Sequence, residues 1–381
     1  MKPKILITAA NGNTGFPAAK ELLELGFPVR AFVRNPDNPK ARELKALSAE
    51  LFVGDIEDIR DVRKALTGVK RAYFAAGSPN VLFQGSTFAT AAEEMGLEHV
   101  VAITQWLSSN THPSIWTKEQ WLVDQIFKKL PSVNVTFINP GMFAFAYFLN
   151  LESVAQFGML PEFGTNAPPS NEDMGAVVAH ILKDPAKHKD QTYRVTGREL
   201  LTSQEMADII GEILGRKVKV QNMPEKMMFK AFRATGFPIR DTSQVRYYID
   251  EAQRNTFALG APTNVVREIT GREAEDFETI ARRYISSDPT AQQTFGNKLR
   301  AIINMMKVVF TPAWNMEKYE KEMKFPKFKN MMLAAKSEEW QHEHRAQIKV
   351  QPTFKINQDE RVMDLARRDV HKWEGELPSL G

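Results

Sequence analysis

The strongest constraint on this chain is an alternation of two periods over its first 140 residues. Short apolar runs at 5–7, 29–33, 50–53, 71–75, 99–103 and 133–138 are separated by helically spaced segments at 16–25, 41–47, 59–66, 83–95 and 116–130. Gly26, Gly68 and Gly96 stand at the ends of three of those segments, where a helix stops readily. Parallel strands need a crossover between neighbours, and a helix between each pair of runs supplies it. The pattern predicts an α/β fold: a doubly wound parallel sheet built from six strands.

After Pro140 the pattern loosens. Helices are expected at 174–182, 203–214, 224–234, 242–253 and 274–284, with residues 190–197 supplying a strand that returns to the sheet. A polar run at 286–293 reads as a boundary. At 381 residues the chain exceeds a single core, and three units follow: 1–150, 151–285 and 286–381.

Composition excludes several chemistries. There is no cysteine, so disulfides, thiolate metal sites and a Cys nucleophile are absent. Seven scattered His show no ligand spacing, and no metal is expected. The most apolar stretch, 133–151, is interrupted by Asn139-Pro140-Gly141 and Asn150, and the apolar run behind Met1 is short, which favours a cytoplasmic protein. The net charge of +4 is unevenly placed. Residues 291–381 hold 16 Lys+Arg against 12 Asp+Glu, whereas residues 1–290 hold 34 of each.

Between the first strand and first helix lies Thr8-Ala9-Ala10-Asn11-Gly12-Asn13-Thr14-Gly15. Gly12 lets backbone approach a pyrophosphate, Gly15 lets the helix sit close to the strand, and the helix N-terminus offers free N–H groups. Ala9 stands where the first glycine of such a loop usually is. Arg34, nineteen residues past Gly15, replaces the acid that would accept from an NAD ribose. A cation there suits a 2′-phosphate, so NADP(H) is the expected cofactor, with Asn13 adding a hydrogen bond. Asp55 either reaches the adenine or is a solvated turn residue. Asn11, Thr14, Ala76 and Gly77 are expected along the same groove.

These segments together resemble the NmrA-like branch of the atypical short-chain dehydrogenase/reductases. The likeness is carried by the loop at 8–15, by Val33-Arg34-Asn35-Pro36, Val53-Gly54-Asp55 and His99-Val100-Val101, and by Thr136-Phe137-Ile138-Asn139-Pro140-Gly141-Met142-Phe143. Asp173-Met174-Gly175, Tyr193-Arg194-Val195-Thr196-Gly197 and the segment from Val265 to Arg272 complete it, in family order, over residues 4–285. The resemblance implies a Rossmann-type NADP-binding domain at 1–150, a smaller substrate lobe at 151–285 and a helical extension beyond. Such proteins include quinone, triphenylmethane-dye and isoflavone-type reductases, and also regulators that bind the dinucleotide and catalyse nothing.

Ordinary short-chain reductases pair Tyr and Lys as Tyr-x-x-x-Lys; here Lys118 has Ser114 four positions before it, and the Tyr is absent. In one reading Lys118 holds the ribose and assists protonation while hydride passes to a small, flat, conjugated substrate such as a quinone, enone or imine. In the other the protein is a non-catalytic NADP(H) sensor that binds a protein partner. Thr104 occupies the place of the active-site hydroxyl, or caps its strand. His112 titrates in a useful range, or is an ordinary surface residue. Pro140 and Gly141 are expected against the nicotinamide. Trp116, Met142 and Phe143 are candidate substrate contacts.

The extension is the unfamiliar part. Leu299, Ile302, Ile303, Met306, Val309 and Phe310 form an amphipathic helical stripe, and Phe328, Met331, Met332 and Ala335 a second. Lys318, Lys321, Lys324, Lys327 and Lys329 lie between them among aromatics. The segment is expected to pack on the body as a lid or homodimer surface, with peripheral membrane contact the alternative. Interspersed acids argue against nucleic acid.

Overall fold

The computed structural model describes residues 2–348. In the first half β1 (Ile5–Ile7), α1 (Gly15–Glu24), β2 (Val29–Val33), α2 (Pro39–Ala46), β3 (Glu50–Val53) and α3 (Ile59–Leu66) come first. β4 (Arg71–Phe74), α4 (Val81–Glu94), β5 (His99–Ile103), α5 (Ile115–Lys128) and β6 (Asn134–Pro140) follow. The second half adds α6 (Leu151–Phe157), β7 (Met159–Pro161), α7 (Asn171–Lys183), β8 (Thr192–Val195), α8 (Ser203–Leu214) and β9 (Lys219–Gln221).

Seven parallel strands form the main sheet in the order β3-β2-β1-β4-β5-β6-β8. The last, β8, comes back from the second lobe and pairs with β6 from Phe137↔Thr192 to Pro140↔Val195. Strand order reverses between β1 and β4, which opens a crevice at their carboxyl ends. Alternate side chains on β1 feed the two cores. Ile5 and Ile7 point to one face with Leu22 and Ile181, while Leu6 joins Phe32, Phe74, Phe88 and Phe127 on the other. Phe74 sits at the centre of that second face, its ring 4.8 Å from Phe88 and 5.2 Å from Phe127. Burying each such ring contributes about 1.5–3 kcal/mol.

The second lobe has its own core around Tyr147, Phe148, Leu151, Ile210 and Phe277, edged by the short β7–β9 pair. α8 is framed by a Thr202–Glu205 capping box and ends on Gly215, whose φ of 64° suits glycine. The lobe continues through α9 (Glu225–Ala234), α10 (Ile239–Gln253), α11 (Val265–Thr270) and α12 (Phe277–Ser287). α12 starts later than the spacing predicts because the Asp276 carboxylate accepts from Thr279 N and caps it there.

The C-terminal region departs from its expectations. The polar run at 286–293 is tied to the lobe: Ala291 is buried in its core, and Gln156 Nε2 donates to the carbonyls of Thr290 and Gln292 at 2.9 Å each. α13 (Phe295–Phe310) forms, but its apolar stripe faces solvent instead of packing on the body. α14 (Met316–Glu322) follows, and the second stripe then forms no α-helix, only a 3-10 turn at Ala334–Lys336. Left-handed backbone at Lys324 and Asn330, with Pro326 between them, breaks it into an irregular strap. The strap joins Met332 N to the Thr111 carbonyl at 3.0 Å before α15 (Glu338–Glu343) and α16 (Arg345–Ile348). No helix among the described residues is long and apolar enough to cross a membrane.

On one face of the sheet α7 lies against α1 and shares its core. A Cβ on Gly175 of α7 would come within 2.6 Å of Ala18 N and 2.7 Å of the Pro17 backbone, neither of which can yield. Gly175→Val is expected to lower the urea unfolding free energy by about 1–3 kcal/mol through overpacking. Gly77→Ala, with open space around it, serves as the near-neutral control in the same titration.

Candidate functional site

The loop after β1 is held by sterics. Ala9 adopts φ 46°, a left-handed conformation that L residues rarely take. Gly12 N donates to the Ala9 carbonyl at 2.7 Å, and a Cβ on Gly12 would lie 2.9 Å from that oxygen. A Cβ on Gly15 would overlap the same carbonyl. Thr14 shares a 2.8 Å hydrogen bond with the Tyr73 hydroxyl, and Ala75 N donates to Thr8 Oγ1 at 2.9 Å, so the loop is anchored to β4. Thr14 precedes α1 without capping it through its side chain, and no acid lies in the first turn. With Asn11 half-buried and Asn13 exposed beside it, this is a cradle of free N–H groups that fits a diphosphate.

Two cations stand at the rim. Arg34 is exposed at the end of β2 and has no hydrogen-bond or ion-pair partner among the described residues. Lys40, in the first turn of α2, places Nζ 5.3 Å from the Phe16 ring centre at the start of α1. Its distance from the loop in sequence concealed it. Asp55 spends its carboxylate on a turn, accepting from Glu57 N at 2.9 Å. Ala76 is half-buried, and Gly77 N donates to Gln84 Oε1 at 2.9 Å. The next residues fasten to α10: Ser78 Oγ donates to Asp241 Oδ1 at 2.7 Å and Arg240 donates to the Pro79 carbonyl at 2.9 Å. The second lobe thereby closes on the groove.

On α5, Lys118 is 7% exposed and its environment is apolar. Nζ lies 3.3 Å from Met331 Sδ and 4.5 Å from the Phe328 ring centre, both on the strap. Burial holds the ammonium below the usual lysine range. Ser114, four positions before it, is buried and donates to Gln244 Oε1 at 3.1 Å.

His112 is fully buried, which corrects the surface reading. Its Nδ1 accepts from Ser114 N at 3.0 Å, which leaves the Nε2 proton directed at Glu251 Oε1, 3.2 Å away. Glu251 also accepts from Thr256 Oγ1 at 2.6 Å and from Ala334 N. His112 therefore ties the loop after β5 to α10 and the strap.

Thr104 is likewise turned inward. It donates to Asp124 Oδ2 at 2.5 Å, joined by Ser108 Oγ at 2.7 Å and by Gln120 Nε2 on Oδ1 at 2.9 Å. Burial pushes the Asp124 carboxyl up to about 6, against the pull of those three donors.

Pro140 ends β6, and the space a Gly141 side chain would take belongs to Arg194, whose guanidinium nitrogens lie 3.0 Å from that Cβ position. Arg194 is buried, lies 4.0 Å over the Trp106 ring and donates to the Phe257 carbonyl at 3.0 Å; burial lowers it to about 9. Met142 packs with Trp106, Phe163 and Tyr248, whereas Phe143 packs on the sheet core. Trp116 is half-buried, and its Nε1 has no partner among the described residues.

A phenol that no sequence pattern signals comes from the other lobe. Tyr248, on α10, donates to Gln105 Oε1 just past β5 and packs, as Met142 does, against the cluster of Trp106 and Phe257. Burial raises its pKa. It lies far from Lys118 in the chain, so only the closure of the lobes reveals it.

A switch-point crevice, a phosphate cradle and a lysine on the helix after β5 define a dinucleotide-binding protein of the doubly wound class. The chain belongs to the NmrA-like family, whose family model matches residues 1–259. It is 25% identical over 306 residues to an NAD(P)H azoreductase of Xenophilus azovorans, covering 74% of this chain and 98% of that one. Among solved structures, the NADPH-dependent quinone oxidoreductase of Escherichia coli, complexed with NADPH, superposes with a TM-score of 0.63 at 20% identity, over 73% of this chain and 99% of that one. NmrA, a negative transcriptional regulator in complex with NADP, superposes at 0.60 and 19% identity, over 74% and 94%.

Asp124 supplies a pH test. Its folded value of about 6 lies above the ~4 of an unfolded carboxyl, so the fold favours the protonated form. That stabilisation is present below about pH 4 and is lost as pH rises through 6. Asp124→Asn stays neutral throughout. Its stability relative to wild type is expected to rise by about 2–3 kcal/mol between pH 4 and 7.5. Denaturant titrations at both pH values check this, and a gap that does not change with pH would refute it.

Proposed function

We propose that the protein is an NADPH-dependent reductase of a small, flat, conjugated acceptor such as a quinone, enone or imine. The observation that carries this reading is the surroundings of Lys118: a desolvated ammonium facing a thioether and an aromatic ring, with no carboxylate partner among the described residues. The loop from Asn11 to Gly15 would hold the diphosphate, and Arg34 with Lys40 the 2′-phosphate. NADPH bound there supplies the hydride.

A two-electron reduction also needs one proton at the acceptor. Lys118 can give it more readily than an exposed lysine, because burial has brought its pKa down toward the working pH. Tyr248 is the second candidate donor, since its protonated phenol packs against the same Trp106 cluster as Met142. Met142, Phe328 and Met331 offer the soft, flat surface that a conjugated ring accepts. The azoreductase and quinone oxidoreductase relatives are consistent with that chemistry.

A second reading, a non-catalytic NADP(H) sensor, rests on Ser114. Its buried hydroxyl is bonded to Gln244 and cannot replace a phenol in the Tyr-x-x-x-Lys position.

NADPH oxidation with a panel of quinones, enones and imines separates the two. Turnover is expected with at least one acceptor. Lys118→Ala is expected to lower kcat by about 10²–10⁴-fold, the range of a general acid, with Tyr248→Phe showing a smaller loss. Tight NADPH binding without turnover on any acceptor would instead establish the sensor. For the cofactor, Arg34→Ala is expected to weaken NADPH by about tenfold or more while leaving NADH nearly unchanged. Calorimetry with both nucleotides reads this directly, and equal losses would remove the 2′-phosphate role.

A further inference from the structure

α13 is mounted on the body by its polar side. Arg300 Nε donates to Glu152 Oε1 at 2.7 Å, Asn304 Nδ2 to Glu152 Oε2 at 2.7 Å, and Asn297 Nδ2 to the Pro289 and Gln292 carbonyls at 2.8 Å. Of its 16 residues only Ala301 is buried. At 3.6 residues per turn, Phe295, Leu299, Ile302, Ile303, Met306, Val309 and Phe310 share an arc of about 120°. That arc points directly away from Asn297, Ala301 and Asn304. Phe295 is 84% exposed, Ile303 59% and Phe310 76%. A stripe this wide on a soluble surface marks an interface.

Charge identifies the partner. α13 contains Lys298, Arg300 and Lys307 and no acid. On the helical wheel Lys298 and Lys307 border the apolar arc on opposite sides, where their stems can reach upward from a partly immersed helix. Of the nearby acids Glu320 is paired with Arg246 at 2.7 Å and Glu322 lies 3.8 Å from Lys318, while exposed Glu317 offsets one more cation, so the exposed lysines 321, 324, 327 and 329 leave a net positive excess. A second copy docked on the same face would set these like charges against one another. A negatively charged surface with an apolar interior satisfies both features. The helix is one that lies in an interface: none of the described helices can span a bilayer.

We propose that α13 docks the protein on an anionic membrane surface, with its axis in the headgroup plane and its two phenylalanine ends immersed. The proposal is independent of the cofactor chemistry above. It is tested by sedimentation of the full-length protein with phosphatidylcholine vesicles, alone or with about 30% phosphatidylglycerol. Binding to the anionic vesicles is expected to be at least about tenfold tighter and to weaken as salt is raised. Ile303→Asp with Phe310→Asp, both at exposed positions, should abolish binding while the circular dichroism stays unchanged. Lys298→Glu with Lys307→Glu should remove the preference for anionic lipid.

Four results would overturn the proposal. The protein could stay in the supernatant with both vesicle types or bind them equally, or the double aspartate variant could bind like wild type. Light scattering could also reveal a lipid-free dimer that Ile303→Asp with Phe310→Asp dissociates, which would assign the face to a second copy.

Discussion

The architecture depends on how closely α1 can approach its neighbours. Its first residue, Gly15, lies against the Ala9 carbonyl, and its next turn lies against Gly175 of α7. Those two contacts leave no room for a methyl group. The first sets the N–H cradle at the mouth of the crevice, and the second seats α7 beside α1 on the same face of the sheet. The phosphate cradle and the packing of the sheet's helical layer therefore both follow from one helix seated by backbone contact, with the apolar faces of β1 supplying the free energy.

Around the carboxyl edge of the sheet the polar side chains serve largely as fasteners. Asp124 collects Thr104, Ser108 and Gln120; Glu251 collects His112, Thr256 and the strap at Ala334; Arg194 fills the hollow beside Gly141. Each group is buried and hydrogen-bonded, which is how a low-dielectric interior tolerates it. Trp340 completes the assembly, donating from Nε1 to the Trp106 carbonyl at 2.8 Å with its ring edge-on to Trp106. Lys118 differs from all of these. Its contacts are a sulfur and a ring, both from a segment beyond the 1–259 family match.

Much of the sheet was legible in the sequence because a buried parallel strand and a crossover helix each leave a local periodic trace. Gly12 and Gly15 were legible for the same reason, since their steric demand arises within seven residues of Ala9. The directions of Thr104 and His112 were not legible, because a polar residue near a strand end carries no mark of which way it turns. Only the approach of α5 and α10 directs Thr104 to Asp124 and His112 to Glu251. The contacts of Tyr248 with Gln105 and of Lys40 with Phe16 left no signal at all, being made by packing across long stretches of chain.

The extension divides the two kinds of information most clearly. The chain by itself determined that residues 299–310 carry an amphipathic helical stripe and that the positive excess lies nearby, since periodicity and composition are local properties. It could not determine which side of that helix meets the body. Tertiary structure decided this through Glu152, whose carboxylate holds Arg300 and Asn304 and so turns the apolar arc outward. A few hydrogen bonds to a residue about 150 positions away outweighed the default that apolar faces turn inward. The same holds for Lys118, whose position on α5 was readable but whose apolar surroundings exist only where the strap crosses it.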